Sequence, residues 1–362
     1  DQRVHRIAKT IHNSGHKVTL VGRKLKDSRE FLLKDIRIKR FRLWINTGFL
    51  FYACYNIRLF FYLLFKKGPM ILVSNDLDTL PANFLVSRLK GAKLVYDSHE
   101  YFTEVPELIG RNFVKRFWQT IEKLLVPGVH AAYTVNESLA KMYSAKYGIE
   151  FGVLRNVPDN QYAEQEIAIP ELFEKEGFII YQGSVNKDRG LEELIDIIST
   201  DKKYRLAIAG NGDRIQNLKE IVLNKGLVEN IHFFGKLEPS KLKSLTRRAG
   251  LGLSLEKKTN LNYYYALPNK LFDYINAGIP VLCSEFPEMK KIVENYKVGM
   301  IVDPEDRKKI RESLDVMISD QEKRKEWMEN AKVASKELSW EKEKKKIKNI
   351  YKKVGLEIQV NA

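Results

Sequence analysis

A lysine and an aspartate lie three residues apart at the predicted start of a short helix. Residues 267–282 follow an apolar run and a polar loop, and they predict a helix that ends at Gly278 before a strand. Pro268 suits the first helical turn, where its missing N–H costs nothing. Lys270 and Asp273 then share one face. Backbone amides and lysine suit phosphates, and a carboxylate suits ribose hydroxyls, so the segment predicts a nucleotide site.

A loop with a glycine at each end carries two cations in the same half of the chain. Residues 183–191 follow an apolar run and lead into a helical pattern. Amides at a helix start, together with cations, form a natural cradle for a diphosphate. An exposed loop with solvated charges is the alternative. We predict binding by Gly183, Ser184, Lys187 and Arg189, with Arg189 as the principal ligand.

Two more turns with small residues follow predicted strands. Small residues allow close approach of a ligand or of another backbone segment. A plain turn and an ordinary strand end are the respective alternatives. The candidate residues are Gly210, Asn211 and Gly212 in the first turn, and Gly235, Lys236 and Leu237 in the second.

Three titratable side chains follow an apolar strand in the N-terminal half. Asp97, His99 and Glu100 lie within four residues at the carboxyl end of this strand, which is where parallel sheets place chemistry. The alternative is that Asp97 or Ser98 caps a helix and His99 is structural. We predict that all three titratable groups face the site, with His99 nearest the reacting atoms.

A second acidic pair lies upstream, in Asn75-Asp76-Leu77-Asp78. Two carboxylates alone make a poor magnesium site, so no metal is predicted. The segment is interpreted as a loop and cap, with Asp76 near a bound acceptor.

The net charge of +16 is concentrated in the first half of the chain. Residues 1–156 contain 26 basic and 13 acidic residues, whereas residues 157–362 contain 36 and 33. Such an excess attracts nucleic acid, an anionic membrane or an acidic acceptor. No nucleic-acid module accompanies it, so no nucleic-acid partner is predicted. Two isolated cysteines, Cys54 and Cys283, favour a reducing, cytoplasmic compartment.

Helical and strand patterns alternate in both halves, which predicts an α/β fold with parallel sheets and helices on both faces. The predicted division is an N-terminal domain at 1–156, a nucleotide-binding domain at 157–338 and a terminal helical segment at 339–362.

Residues 44–65 are rich in Phe, Tyr and Leu and approach the length of a bilayer span. Asn46, Asn56 and Arg58 interrupt them, which favours a half-buried core helix over partial insertion into a membrane surface.

The segment Pro268-Asn269-Lys270-x-x-Asp273-Tyr274 before Ala-Gly-x-Pro-Val resembles the donor site of family-four-like retaining glycosyltransferases with the GT-B fold, of the bacterial polysaccharide or glycan type. The common pattern of that family has two glutamates eight residues apart. Asp273 stands at the second of these positions and Tyr265 at the first. Arg189 matches a family lysine, and Ser184 replaces a family arginine.

This resemblance implies two Rossmann-like domains whose sheets face a central cleft, a first strand that precedes Asp1, and a terminal helix that crosses back. It implies transfer of a sugar, with retention, from a UDP-sugar (or, as second choice, a GDP-sugar) to a hydroxyl of a glycan or lipid-linked acceptor. No metal or other cofactor is implied. The implied donor residues are those of the three loops above, together with Pro268, Asn269, Lys270 and Asp273.

Two other functions stay open at this point. A nucleotide-sugar epimerase shares the architecture and needs no acceptor. A non-catalytic partner-binding or membrane-binding protein on a degenerate transferase fold is the second, and Tyr265 and Ser184 favour it. The basic N-terminal half also suggests a peripheral location at the inner face of an anionic membrane.

Overall fold

A computed structural model of the chain describes residues 2–26, 28, 36–159 and 163–359. The chain divides into two compact units. Unit 1 contains Asp1–Asn156 and Glu341–Ala362, and unit 2 contains Val157–Trp340.

Unit 1 has two parallel sheets. A two-stranded sheet pairs β1 with β2, and a four-stranded sheet has the order β3-β4-β5-β6. The elements are α1 Gln2–Asn13, β1 Thr19–Arg23, β2 Arg37–Phe41, α2 Gly48–Leu64, β3 Ile71–Asn75, α3 Leu80–Lys90, β4 Lys93–Ser98, α4 Asn112–Leu125, β5 Ala131–Thr134, α5 Glu137–Tyr147 and β6 Phe151–Val153.

Local signals explain the ends of several of these helices. In α5 the Asn136 side chain accepts a hydrogen bond from the backbone N–H of Leu139, and Gly148 ends the helix in the left-handed conformation. Gly91 ends α3 in the same way. Capping therefore helps to define the helix before β4 and the helix after β5, and the candidate residue Asp97 lies on β4.

Unit 2 is one doubly wound domain. Its elements are α6 Glu171–Glu176, β7 Ile179–Gln182, α7 Leu191–Thr200, β8 Leu206–Ala209, α8 Ile215–Asn224, β9 Ile231–Gly235, α9 Pro239–Arg248, β10 Leu251–Ser254, α10 Leu261–Tyr264, α11 Asn269–Ala277, β11 Val281–Ser284, α12 Pro287–Tyr296, β12 Gly299–Val302, α13 Arg307–Ser319 and α14 Gln321–Glu337. The six strands are parallel in the order β9-β8-β7-β10-β11-β12. This order reverses between β7 and β10, which is where such sheets bind ligands.

The last helix is α15, Trp340–Lys352, and residues from 341 onward belong to unit 1. The hydroxyls of Tyr351 and Tyr133 lie 3.4 Å apart, and the Arg155 backbone N–H donates to the Glu343 carboxylate at 2.9 Å. Both contacts attach the C-terminal helix to the sheet of unit 1 and to the residues that follow β6.

Two of the elements that were not predicted from the sequence are β2 and α14. The basic run at 37–42 forms β2, because Ile38 and Phe41 pack inward while Arg37 and Lys39 stay exposed. The helix α14 was not predicted, since only Trp327, Ala331 and Ala334 of its 17 residues are buried and its apolar periodicity is correspondingly weak.

The apolar segment at 44–65 forms α2, which buries Tyr55, Leu59 and Leu63. Its other face exposes Phe49, Leu50, Ile57 and Phe61. The half-buried helix predicted for this segment is therefore observed. In the part of the chain that the structure describes, no helix is both long and apolar enough to cross a bilayer.

Candidate functional site

A buried carboxylate joins two cations at the point where the strand order of unit 2 reverses. Glu256 follows β10 and is fully buried. One of its oxygens lies 2.7 Å from Lys270 Nζ and 3.1 Å from Arg189 Nη1. Its other oxygen accepts from the Ser254 hydroxyl at 2.9 Å. The Ser284 hydroxyl donates to the Glu256 backbone carbonyl at 2.7 Å, so both ends of the residue are fixed.

Two aromatic rings hold the cations in place. Lys270 Nζ lies 4.1 Å from the centre of the Tyr181 ring. The Arg189 guanidinium lies 4.3 Å from the centre of the Tyr263 ring. Each contact adds electrostatic attraction and restricts the rotamers of a long side chain. The Lys270 side chain is 7% exposed and that of Arg189 is 19% exposed, so each retains a small accessible surface.

Packing beneath α11 explains why Lys270 and Asp273 reach the crevice. A Cβ atom at Gly252 would lie 2.3 Å from the Tyr274 ring, so glycine lets the helix approach β10. The Tyr274 hydroxyl accepts from the Gln182 backbone N–H at 3.1 Å and lies 3.1 Å from the Leu253 carbonyl oxygen, to which it donates. The helix is therefore attached to both central strands, β7 and β10.

Asp273 lies at the start of a buried polar chain. One of its oxygens accepts from the Gln182 side-chain amide at 2.7 Å. The amide oxygen of Gln182 accepts in turn from the Thr246 hydroxyl of α9 at 2.7 Å. This chain orients a half-buried carboxylate beside the loop that follows β7.

Opposing effects set the charge states of the cluster. Burial disfavours the Glu256 anion, but Lys270 and Arg189 outweigh it and lower the pKa of this carboxyl to about 2. Burial lowers the pKa of Lys270 to about 8, and the attraction of Glu256 only partly opposes the shift. At neutral pH the cluster therefore contains two cations and one anion.

The glycine turns pack against one another. Gly183, at φ 125°, donates its N–H to the Ala209 carbonyl, and Gly210 donates to the Gly235 carbonyl. A Cβ atom at Gly210 would lie 1.8 Å from the Gly183 carbonyl oxygen. One at Gly212 would lie 2.3 Å from the Val185 carbonyl oxygen. The close approach expected at these glycines is thus made by backbone, which holds the carboxyl ends of β7, β8 and β9 together.

The other predicted donor residues lie around this crevice. Pro268 precedes α11 and is not in its first turn, because the helix begins at Asn269. Leu237 is half-buried beyond β9, and the exposed residues are Ser184, Lys187, Asn211, Lys236 and Asn269. An intrahelical pair would join Lys270 to Asp273. Instead, Lys270 pairs with Glu256. Sequence reasoning missed Glu256, although its position directly after the apolar run at 251–255 was a usable signal.

A separate polar network lies at the carboxyl ends of β3 and β4 in unit 1. Arg3 and Asp97 are both buried, and the guanidinium donates to both carboxylate oxygens at 2.8–3.2 Å. The same carboxylate lies 3.1 Å from His99 Nε2. Asp76 accepts from the His99 backbone N–H at 2.8 Å, and its other oxygen lies 3.3 Å from His99 Nδ1. Two carboxylates therefore hold the imidazole ring from opposite sides.

The charges of the two carboxyl groups in this network differ. Against the cost of burial, Arg3 and His99 lower the pKa of Asp97 to about 2. Asp97 and Asp76 outweigh burial at His99 and raise the pKa of its ring. Burial raises the pKa of Asp76 to about 7, against the attraction of His99. Asp76 also has an unusual backbone, with φ 60°, which is costly for a residue with a side chain.

One expectation for this network was wrong in part. Asp97 does not face the site with His99 and Glu100, because its side chain is fully buried and pairs with Arg3 and His99. His99 is 15% exposed and Glu100 is exposed. Ser98 donates to the Glu100 carbonyl at 2.9 Å and does not cap a helix. Among the described residues, no three His, Cys, Asp or Glu side chains are grouped closely enough to hold a metal ion.

Comparison with known proteins gives a family match within unit 2. Residues 163–334 match the family described as Glycosyl transferases group 1. One relative is a GalNAc-alpha-(1->4)-GalNAc-alpha-(1->3)-diNAcBac-PP-undecaprenol alpha-1,4-N-acetyl-D-galactosaminyltransferase of Campylobacter jejuni. The two sequences are 22% identical over 228 residues, and this alignment covers 61% of this chain and 60% of that protein. The chain is 24% identical over 238 residues to an uncharacterized glycosyltransferase of Methanocaldococcus jannaschii, covering 64% of this chain and 59% of that protein. The matches thus span about 60% of these curated relatives.

Solved structures of glycosyltransferases share the fold over nearly the whole chain. Sucrose-phosphate synthase from Thermosynechococcus elongatus aligns with a TM-score of 0.81 at 13% identity, covering 98% of this chain and 92% of that one. WaaG, described as a glycosyltransferase involved in lipopolysaccharide biosynthesis, aligns with a TM-score of 0.69 at 16% identity, covering 96% of this chain and 95% of that one. Anabaena HepE in complex with UDP aligns with a TM-score of 0.67 at 14% identity, covering 92% of this chain and 98% of that one. Residues 163–334, which make up most of unit 2, therefore match the group 1 glycosyl transferases, and the chain has the GT-B fold that its motifs indicated.

Proposed function

We propose that the protein transfers a sugar from a nucleoside-diphosphate donor to an acceptor hydroxyl, with retention of configuration. The observation that carries this proposal is the grouping of Arg189, Lys270 and Asp273 where the strand order of unit 2 reverses. Two cations suit the diphosphate, and an oriented carboxylate suits the ribose hydroxyls.

The roles follow from charge development during transfer. The bond from the anomeric carbon to the diphosphate oxygen breaks, and a bond to the acceptor oxygen forms on the same face. The acceptor proton passes to the departing diphosphate. Arg189, Lys270 and the amides at the start of α11 stabilise the charge that the diphosphate gains. His99 binds a hydroxyl of the reacting sugar or of the acceptor, and Asp97 and Asp76 orient its ring.

UDP-sugars are the first choice of donor and GDP-sugars the second. HepE was solved in complex with UDP, which motivates this order. A lipid-linked glycan is the acceptor that we favour, because the Campylobacter jejuni relative is named for a glycan on PP-undecaprenol. No metal ion is required in this scheme, since side-chain cations occupy the place where a metal would neutralise the diphosphate.

Peripheral contact with an anionic membrane at the cytoplasmic face is the second part of the proposal. A groove of about 530 Å³ between β2 and α2 is lined by Arg37, Lys39, Arg40, Arg58 and Lys66, with Phe61 and Phe65 at its edge. Phe65 is 77% exposed and Phe61 is 50% exposed. Basic residues next to exposed aromatics suit phosphate headgroups and the interfacial region of a bilayer.

Sedimentation with vesicles tests the membrane part. The full-length protein is expected to bind vesicles of phosphatidylglycerol at low salt, but not vesicles of phosphatidylcholine alone. Lys39→Glu combined with Phe65→Ser should abolish binding, whereas Lys342→Glu, an exposed control on α15, should not. Equal retention of the wild type and the groove variant would refute this location.

Product analysis tests the transferase proposal against its rivals. Purified protein is incubated with UDP-sugars and GDP-sugars, with and without polyprenyl-diphosphate-linked glycans. Mass spectrometry should detect an acceptor longer by one sugar, and NMR should detect a linkage with the anomeric configuration of the donor. An altered sugar formed without acceptor would instead indicate an epimerase. A protein that binds no nucleotide and gives no product would match the non-catalytic alternative.

A further inference from the structure

The carboxylate of Glu256 is the one member of the unit 2 cluster to which the proposed chemistry gives no part. It is fully buried, and its partners come from different parts of the chain: Arg189 from the loop after β7, and Lys270 from α11. The Glu256 anion has two cationic partners and accepts a hydrogen bond from the Ser254 hydroxyl. Burying this group nevertheless costs desolvation free energy, so the presence of a charged residue here needs a reason.

We propose that Glu256 is a positioning residue for the donor: it holds Arg189 and Lys270 in place, and keeps Lys270 charged, as a preformed two-cation clamp for a nucleoside diphosphate. The inference rests on the proposed function and adds a residue to it. One further observation points to a ligand at the clamp. The Nε atom of Arg189 is buried and has no hydrogen-bond partner among the described residues.

A simple charge count would give the opposite expectation. Removing an anion beside two cations makes a site more positive, which would tighten the binding of a diphosphate. However, Lys270 is nearly buried, and burial already lowers its pKa to about 8 with Glu256 in place. Loss of the carboxylate should lower this pKa further, so Lys270 becomes neutral near pH 7 and the clamp loses an ammonium.

Three groups in the described part of the chain face Lys270. They are Glu256 after β10, Arg189 in the β7 loop and the Tyr181 ring on β7. Burial raises the pKa of Tyr181, so this phenol stays neutral. On β11, burial and Glu256 raise the pKa of Cys283, which also stays neutral. Arg189 repels Lys270, so Glu256 is the group that favours its charged form.

The test compares a ligand that has phosphates with one that lacks them. Binding of UDP and of uridine to wild type and Glu256→Gln is measured by titration calorimetry at pH 7.5 and pH 6, with GDP and guanosine if UDP gives no heat. Glu256→Gln should weaken UDP binding about tenfold or more, as loss of a charged contact does. Uridine binding should stay within about twofold. Part of the UDP loss should be recovered at pH 6, where Lys270 is protonated again.

Two further variants separate positioning from folding. Glu193→Gln removes a neighbouring buried carboxylate that pairs with Lys257 at 2.5 Å and contacts neither clamp cation, so it should leave the UDP-to-uridine ratio unchanged. If Glu256→Gln does not fold, Lys270→Met still leaves Glu256 paired with Arg189. It should show the same selective loss of UDP, without recovery at pH 6.

The outcomes are distinct. If Glu256→Gln binds UDP as tightly as the wild type, or more tightly, the clamp is overturned and the proposed function stays intact. If Glu256→Gln loses affinity for UDP and for uridine equally, and pH does not change this loss, the role of Glu256 is purely structural and the clamp is also overturned. A wild type that binds no nucleoside diphosphate overturns the proposed function, and the clamp with it.

Discussion

Replacement of Asp97 by asparagine should destabilise unit 1 and lower the pKa of His99. The substitution keeps the shape of the side chain but removes the charge that pairs with Arg3, whose side chain is 1% exposed. The guanidinium would keep its bond to the Leu154 carbonyl at 2.6 Å but would lose its two-oxygen contact with the Asp97 carboxylate. A buried charge thereby loses a close anionic partner.

Two arguments give a similar magnitude. Breaking a buried ion pair by removing one partner costs about 3–5 kcal/mol. Independently, the pKa of Asp97 falls from the model-compound value of about 4 to about 2, which corresponds to roughly 2–3 kcal/mol of folding free energy. Because this pKa is lower in the folded state, the stabilisation is present above about pH 4 and is lost as pH falls towards 2. We therefore expect a loss of about 3 kcal/mol at pH 7.

Urea unfolding at pH 7, followed by the fluorescence of Trp118 in unit 1, measures this loss. The control is Glu150→Gln, because Glu150 pairs with Lys353 but is 80% exposed, so its removal should cost less than about 1 kcal/mol. NMR titration should also show a lower pKa for the His99 ring, since Asp97 is the main attraction that raises it. A loss below about 1 kcal/mol together with an unchanged His99 pKa would refute the reasoning.

Three other predictions concern pH and packing. Because burial lowers the pKa of Lys270 to about 8, UDP affinity should fall as pH rises through this value, and Lys270→Arg should remove this dependence; calorimetry between pH 7 and 9 measures both. Burial raises the pKa of Asp76 to about 7, so the carboxylate loses its charge, and its attraction to His99, as pH falls through 7, and kcat/KM should fall with it. A flat pH profile of kcat/KM in Asp76→Asn supports this, and the same fall at acidic pH in that variant contradicts it. Gly210→Ala should lower the melting temperature more than Gly226→Ala, since both glycines have positive φ but only the first would bring a Cβ within 1.8 Å of a carbonyl oxygen; equal shifts in differential scanning calorimetry would contradict this.

The α/β pattern of unit 2 was predictable because its strands are short, apolar and separated by clear turn residues. The helix α11 ends where the sequence predicted, before Gly278 in the left-handed conformation. By contrast, β2 was hidden in a basic run, since its pairing with β1 is decided by non-local contacts and not by composition. The same reasoning explains α14, a mostly polar helix that tertiary packing stabilises.

Site prediction depended on whether the partners were close in sequence. Lys270 and Asp273 could be found because one helical turn relates them and the resemblance covers both. The pairing of Lys270 with Glu256, 14 positions earlier, could not be read from spacing, because the intervening loop has no fixed geometry. Nor could the burial of Asp97 be predicted, since it depends on Arg3 from the first helix, 94 residues away.

The central claim is that unit 2 binds a nucleoside diphosphate through Asp273 and the two cations. The most direct measurement is a thermal-shift panel of UDP, GDP and ADP and their common sugars, on wild type and Asp273→Ala. A ligand above its dissociation constant must raise the melting temperature. The account predicts a shift for one base, UDP first, that disappears in Asp273→Ala. No shift for any nucleotide, or an equal shift in the variant, would contradict it.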